Sequence, residues 1–363
     1  MTIGTFTLSK WRYSPLPSSD RNDTEFKQQS ESIVRHRKLR ISIILLLPPI
    51  TFVLLAVFWK TIVGLQPTGD EVKTSCSQPS IRREWRSLSR AEKKNYINAV
   101  KCLGRTPSRL TPNGTLYDDF PWAHAQVSGG THGSAAFYPW HRYFIHVYEK
   151  SLKEDCEYNG NLPYWDWTLD WEKITKAPVW DSENGFGGDG NSTGEIVLGH
   201  GRCVVDGPFA GQTALFYGTR YDPHCLSRGF GDGINDKGVF SGAGVRPEVV
   251  EKIMRQPDYE KFFLAVENGP HSTIPNGVRG DFFSFTAPYD PVFFLHHAQL
   301  DRLWWLWQQK LPRERLLAYH GKRAHHSTEK AQLTDALRMF GLAEDKPVSQ
   351  VMSTHSNLLC YSY

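Results

Sequence analysis

Residues 124–150 read HAQVSGGTHGSAAFYPWHRYFIHVYEK and place three histidines, His124, His132 and His141, eight and nine residues apart. Neutral imidazole is a good ligand for copper and zinc, and three such ligands can hold one ion with a coordination position left open. Histidines on the surface or in the core of an aromatic-rich domain can produce the same spacing by accident. The stretch therefore predicts a metal site, and a second histidine group is needed to support it.

The composition is that of a globular protein. The chain has 363 residues, and its 12 Trp, 15 Tyr and 20 Phe favour a dense core with a pocket lined by aromatic rings. The formal net charge of +4 is small for this length and does not indicate nucleic-acid binding. Any function therefore has to be inferred from motifs.

The N-terminal part of the chain differs in composition from the rest. We expect residues 1–40 to form a disordered cytosolic tail, because they are mostly polar and lack hydrophobic periodicity. Residues 41–59 contain no charged side chain and can cross most of a ~30 Å hydrocarbon core, so they predict a transmembrane helix followed by a linker at 60–80. A cleaved signal peptide is the alternative, but bulky Phe58 and Trp59 stand where small residues usually precede cleavage.

Basic residues within 35–40 precede the apolar segment, and the positive-inside rule then predicts a single-pass type II membrane protein. The rest of the chain would face a lumen or the cell exterior. All six cysteines follow the segment, and this even number permits three disulfides in an oxidising compartment. Cys203 and Cys225 close a short loop and are the first expected pair, although other pairings are possible. Asn113 and Asn191 begin glycosylation sequons on the same side.

Helix signals recur through residues 81–363, which we expect to form one domain. Ser89 and Glu92 make a capping box that predicts a helix from 91 to 103. A proline suited to a first turn predicts another helix from 139 to 152. His146 lies off the inward face of this helix, so we do not expect it to bind metal.

Two further regions have distinct patterns. Pro257 divides residues 246–267 into two predicted short helices. Residues 181–244 are rich in Gly, Asn, Asp and Ser and predict a long irregular loop. Such a loop is expected to cover a pocket or to be fixed by a disulfide.

Residues 286–308, TAPYDPVFFLHHAQLDRLWWLWQ, contain a second histidine group. His297 and Asp301 lie four positions apart on a predicted helix, so the carboxylate is expected to accept the second N–H of the imidazole. His296 points about 100° away on the same helix, which favours His297 as the ligand. Both histidine groups together support a metal-binding protein.

Two stretches resemble the copper-binding regions of the tyrosinase, catechol oxidase and haemocyanin family. They are THGSAAFYPWHR at 131–142 with His124 upstream, and DPVFFLHHAQLDRLWWLWQ at 290–308 with Gly-Pro-His at 269–271 upstream. The similarity spans about residues 80–310 and is strongest to short fungal tyrosinase-like oxidases with an N-terminal membrane anchor. It implies a mainly α fold, in which a four-helix bundle with long irregular loops holds two copper ions.

Carried over by position, the resemblance implies five metal ligands: His124, His132, His141, His271 and His297. The family's remaining ligand to the second copper would stand at position 275, where this chain has proline. A proline side chain offers no metal-binding atom, so another residue has to replace it or the second site is incomplete. The candidates for that replacement are His224, His296, His320, His325 and Asn276.

Other positions bear on the chemistry that the resemblance implies. Glu267 resembles the family's water-holding glutamate and is the expected acceptor of a phenolic proton. Ser272 stands where strongly phenol-hydroxylating relatives often carry Asn, which favours catechol oxidation over monophenol hydroxylation. Access to the pocket would be controlled by residues 181–244 or by Phe282 and Phe285.

The resemblance therefore implies a copper-dependent oxidoreductase that uses dioxygen. Its substrate would be a small phenol or catechol, or a tyrosine-containing peptide or other secondary metabolite, with oxidation, hydroxylation or oxidative coupling as the reaction. The alternative is a non-catalytic family member that binds copper or dioxygen as a partner protein. A zinc hydrolase is disfavoured because the chain has no His-Glu-x-x-His motif.

Overall fold

The computed structural model describes residues 76–231 and 239–363. The predicted tail and transmembrane helix, and most of the predicted linker, lie outside these residues. Within the described part of the chain, no helix is both long and apolar enough to cross a bilayer. The last residues of the predicted linker are attached to the C-terminal end, because Ser80 pairs with Tyr361 and Cys76 forms a disulfide with Cys360.

The described chain is mainly helical, as predicted. Its helices are α1 (Arg90–Leu103), α2 (Leu116–Thr131), α3 (Phe137–Cys156), α4 (Pro247–Met254), α5 (Tyr259–Val266), α6 (Ser272–Val278), α7 (Val292–Lys310) and α8 (Pro312–Arg315). A π-helical turn, Glu267–His271, joins α5 to α6. Short 3-10 helices lie at Trp85–Ser87, Trp167–Leu169, Trp171–Lys176, Pro178–Trp180, Gly242–Val245, Gly280–Phe283, Ala287–Tyr289 and Val348–Val351.

Local sequence signals explain several of these boundaries. The capping box is present: the Ser89 side chain accepts a hydrogen bond from the Glu92 N–H, and the Glu92 carboxylate accepts one from the Ser89 N–H. The break predicted at Pro257 is confirmed by the separation of α4 from α5. Helix α3 is longer than predicted, since it starts two residues earlier and continues to Cys156.

The strands are short and form two-stranded pairs. They are β1 (Ser80–Ile81), β2 (Arg202–Cys203), β3 (Thr213–Tyr217), β4 (Arg220–Cys225), β5 (Ser227–Arg228), β6 (Ala336–Leu337), β7 (Lys346–Pro347) and β8 (Tyr361–Ser362). Strands β1 and β8 are parallel, while β2–β5, β3–β4 and β6–β7 are antiparallel.

The prediction of an irregular loop over 181–244 was wrong for one part of it. Strands β3 and β4 form a hairpin, and a register shift between Ala214 and Phe216 interrupts the alternation that would have identified the hairpin in the sequence. The expected Cys203–Cys225 disulfide is confirmed and ties β2 to β4. Together with Cys102–Cys156 and Cys76–Cys360, it uses all six cysteines.

Helix α3 lies at the centre of the aromatic core and holds the other helices around it. Phe144 and Tyr148 of α3 stack on Phe294 of α7, with ring centroids 6.0 and 3.4 Å apart. Tyr138 of α3 stacks on Phe262 of α5 at 5.4 Å. Large buried rings contribute much of the hydrophobic stabilisation of such a core. This packing fixes the relative positions of α3 and α7, which carry the predicted ligands His141 and His297.

Candidate dinuclear metal centre

The first histidine cluster consists of His124 on α2, His132 in the turn that follows α2, and His141 on α3. One ring nitrogen of each residue lies within 4.8 Å of the others. The Nε2 atoms of His124 and His141 are 3.3 Å apart. The structure thus brings together the three residues that the spacing in the sequence predicted.

Backbone carbonyls fix the tautomers of two of these rings. His124 Nδ1 lies 2.6 Å from the Phe285 oxygen, and His141 Nδ1 lies 2.7 Å from the Phe137 oxygen. A carbonyl oxygen only accepts, so each Nδ1 carries the proton and each Nε2 presents a lone pair. Two facing lone pairs cannot share a hydrogen bond. Two nitrogens ~2.0 Å from one tetrahedral ion such as zinc would stand about 3.3 Å apart, so this donor pair fits a metal ion.

The second cluster consists of His271 at the end of the π-helical turn and of both His296 and His297 on α7. One ring nitrogen of each lies within 4.8 Å of the others. The His271 ring centroid is 5.9 Å from that of His296 and 5.3 Å from that of His297. Although adjacent helical positions diverge by about 100°, the ring of His271 lies within reach of both.

The two clusters adjoin each other. The rings of His141 and His297 stack with centroids 4.4 Å apart, and the rings of His132 and His271 lie 5.7 Å apart. His132 and His271 are half-buried, whereas the other four cluster histidines are buried. The centre therefore meets solvent on the side of His132 and His271.

Burial favours the neutral form of five of the six cluster imidazoles. It lowers the pKa of His124 to about 3 and that of His296 to about 3. Burial also holds the pKa values of His141, His271 and His297 well below the ordinary range of histidine. A neutral ring has a lone pair for a metal ion, so the clusters are ready to bind metal near neutral pH.

Glu267 connects the segments that carry the two clusters. It lies in the π-helical turn, and its Oε1 accepts a hydrogen bond of 2.7 Å from the N–H of Gly133, the residue after His132. Its Oε2 is buried and makes no hydrogen bond. Burial raises the pKa of Glu267 to about 7, with the Gly133 N–H acting in the opposite direction. This carboxyl group can therefore exchange a proton near neutral pH.

Comparison with known proteins identifies the family. The common central domain of tyrosinase matches residues 114–310. The chain belongs to the tyrosinase family. Among its relatives, tyrosinase ustQ of Aspergillus flavus is 45% identical over 98% of both chains. Tyrosinase-like protein phomQ1 of Diaporthe leptostromiformis is 41% identical over 99% of this chain and 100% of its own. A variant of the polyphenol oxidase of Thermothelomyces thermophila matches with a TM-score of 0.71 and 28% identity, covering 86% of this chain and 94% of that one.

Tyrosinase family members bind copper, and the donor set found here suits that metal. Six imidazoles form the two clusters, and imidazole is a ligand for copper in proteins. The predicted ligands His124, His132, His141, His271 and His297 all belong to the clusters. His296 also belongs to the second cluster. Its direction on the helix, about 100° from that of His297, had argued against it as a ligand.

The predicted bond between Asp301 and His297 was wrong. Asp301 Oδ1 accepts a hydrogen bond from Arg142, and Oδ2 accepts one from the Tyr361 hydroxyl and one of 2.6 Å from the Tyr363 hydroxyl. His297 Nδ1 makes no hydrogen bond of ordinary geometry. A guanidinium is a permanent cation and binds a buried carboxylate more strongly than a neutral imidazole N–H does. In this tyrosinase family member, Asp301 therefore holds the core together and does not orient a ligand.

The other candidates for the missing ligand lie outside the clusters. His224 donates from Nε2 to the Asp281 carboxylate over 2.8 Å, and the amide of Asn276 donates to the Ser272 carbonyl. His320 lies near Asp258, while His325 is exposed. His146, which was not expected to bind metal, stacks on Tyr143.

Proposed function

We propose that this protein is a copper-dependent oxidase of phenols or catechols that uses dioxygen. The observation that carries the proposal is the contact between two histidine triplets, with the rings of His141 and His297 stacked 4.4 Å apart. Copper bound by these imidazoles would supply electrons to dioxygen, because nitrogen ligands of this type suit copper redox chemistry.

The substrate would approach on the side of His132 and His271, the two half-buried cluster residues. Phe285 is also half-buried there, and its ring centroid lies 5.6 Å from that of His132. Aromatic rings attract one another in offset and edge-to-face arrangements, so Phe285 and the half-buried rings of His132 and His271 can orient a phenol ring. This arrangement supports an aromatic substrate.

Glu267 would accept the phenolic proton. Its Oε2 is buried without a hydrogen-bond partner, and its raised pKa of about 7 suits a group that both takes up and releases protons. Oxidation of a catechol to an o-quinone releases two electrons and two protons. Two catechols therefore reduce one dioxygen to two waters, and Glu267 would transfer protons between substrate and product.

The identity of the substrate and the location of the protein belong to the same proposal. We favour a catechol or a tyrosine-containing peptide of secondary metabolism, since ustQ and phomQ1 are fungal proteins called tyrosinase or tyrosinase-like. The Ser272 hydroxyl donates to the Glu267 carbonyl and offers no amide beside the Glu267 carboxyl group, which favours a catechol over a monophenol as substrate.

The three disulfides support an oxidising compartment, which agrees with a type II membrane orientation.

The test is oxygen uptake by the copper-loaded full-length protein. We expect 4-methylcatechol to be oxidised with one dioxygen consumed per two catechols, and 4-methylphenol to react more slowly. The matched control is His146→Gln, which removes a histidine outside both clusters and should leave oxygen uptake unchanged. Copper-loaded protein that consumes no oxygen with catechols, phenols or tyrosine peptides would contradict the proposal and favour the non-catalytic alternative.

A further inference from the structure

We infer that His296 supplies the third imidazole of the second ion and so replaces the ligand missing at Pro275. The inference rests on the proposed copper centre and extends it to one particular residue. It states that the second half-site takes two consecutive residues of one helix, His296 and His297, together with His271.

The need for a replacement follows from α6. Pro275 lies within this helix, four residues after His271, and its side chain has no donor atom. Without another residue, the second half-site would have the imidazoles of His271 and His297 alone. Copper sites in proteins are completed by further nitrogen, sulfur or oxygen ligands. A third donor within reach of these two rings is therefore required.

The position of His296 meets this requirement. Its side chain is completely buried, and one of its ring nitrogens lies within 4.8 Å of ring nitrogens of His271 and His297. Its Nε2 makes no hydrogen bond of ordinary geometry, although it is shielded from solvent. The backbone carbonyl of His271 also acts on this ring, but outside ordinary hydrogen-bond geometry. The buried nitrogen is therefore poorly satisfied, and its position beside two potential ligands points to a bound ion.

A hydrogen bond from Trp167 competes with metal binding by His296. The indole N–H of Trp167 donates to His296 Nδ1 over 3.3 Å. A neutral imidazole has one proton, so acceptance at Nδ1 places that proton on Nε2 and blocks metal binding there. Ligation by Nε2 therefore moves the proton to Nδ1 and breaks the Trp167 hydrogen bond. The cost is this long hydrogen bond together with two buried donors, the indole N–H and the Nδ1–H, that then face each other, and the metal–imidazole bond has to exceed it.

The experiment counts copper ions in metal-loaded, full-length protein by elemental analysis, after circular dichroism has shown each variant to be folded. We expect two ions per chain in the wild type, one in His296→Gln, and two in the control His146→Gln. Two ions in His296→Gln would overturn the inference while leaving the proposed function intact. One ion in the wild type would also overturn it, and none in the wild type would remove the proposed function as well.

A second variant keeps the test decisive if His296→Gln loses structure or both ions. Introducing Pro275→His into His296→Gln places an imidazole four residues after His271, on the same face of the helix, where the family has its usual ligand. We expect the double variant to fold and to bind two ions. A double variant that binds fewer than two would overturn the inference, because a general loss of packing at position 296 would not be repaired from position 275.

Discussion

The two histidine clusters contain the same number of imidazoles but differ in how their rings are held. In the first cluster, backbone carbonyls accept the Nδ1 protons of His124 and His141 and leave both Nε2 lone pairs facing each other. In the second, neither His271 Nδ1 nor His297 Nδ1 makes a hydrogen bond of ordinary geometry, although the Glu267 carbonyl lies close enough to the His271 ring to act against the lowering of its pKa. His296 has its Nδ1 engaged by Trp167, which favours the tautomer that cannot bind metal through Nε2.

This difference shows that ligand number alone does not define a metal site. Hydrogen bonds to the second ring nitrogen fix tautomer and direction, and their loss commonly costs about 10- to 100-fold in metal affinity. The first cluster is therefore the better preorganised of the two, and in the second the His296 ring must change tautomer when an ion binds. We expect the two ions to bind with unequal affinity, the first more tightly than the second.

The largest effect is expected from removing a ligand of the preorganised cluster. His141→Gln should abolish binding of the first ion and lower catechol oxidation by about 10³-fold or more, because several kcal/mol of metal-assisted catalysis are lost. Oxygen uptake and copper content measure the two effects. His146→Gln, on the same helix but outside the clusters, should retain both. If His141→Gln kept most of its activity, the first cluster would not be the essential half-site.

The next effect concerns the stability of α7, which carries the second cluster. Asp301→Asn leaves the buried guanidinium of Arg142 without its carboxylate, and breaking such a pair costs about 3–5 kcal/mol. The free energy of unfolding from urea denaturation should fall by this amount. Glu344→Gln, which removes an exposed partner of Lys346, should change it by no more than about 1 kcal/mol. A weaker second copper site with unchanged stability would instead show that Asp301 orients a ligand.

A smaller, pH-dependent effect is expected at Glu267, which joins the segments of the two clusters. Its folded-state pKa of about 7 lies above its ordinary value of 4.5, so the folded protein binds this proton more tightly than the unfolded chain. The stability it contributes is present below pH 4.5 and is lost as the pH rises through about 7. In metal-free protein, wild type should therefore lose about 3 kcal/mol relative to Glu267→Gln over this window. The lowered pKa values of the cluster histidines act in both proteins and largely cancel in the difference. A pH-independent difference would show that the pKa of Glu267 is not raised in the folded protein.

The smallest effect is expected from Trp167. Trp167→Phe removes the hydrogen bond that holds His296 in the tautomer unsuited to metal binding. A neutral hydrogen bond contributes about 0.5–1.5 kcal/mol, so the second ion should bind roughly three- to tenfold more tightly. Competition with a copper chelator measures this affinity, and the first ion serves as the internal control. Weaker or unchanged binding of the second ion would mean that the hydrogen bond does not compete with ligation.

The sequence predicted those features that depend on local patterns. The spacing of His124, His132 and His141 identified the first cluster, and the capping box and prolines located helix ends to within a few residues. The role of Asp301 could not be predicted in this way, because its partner Arg142 lies 159 positions away in the chain. The helical period also argued against His296 as a metal ligand. The period gives the direction of each side chain around α7, but it does not give the position of the separate segment that carries His271.

The most direct test of the account is a stepwise copper titration of metal-free, full-length protein, with free copper set by a chelator. We predict two ions per chain that bind in separate steps, the first at least about tenfold more tightly than the second, because the first cluster is the better preorganised of the two. His141→Gln should remove the tighter step, and His296→Gln should remove the weaker one. A single bound ion, or two ions of equal affinity, would contradict it.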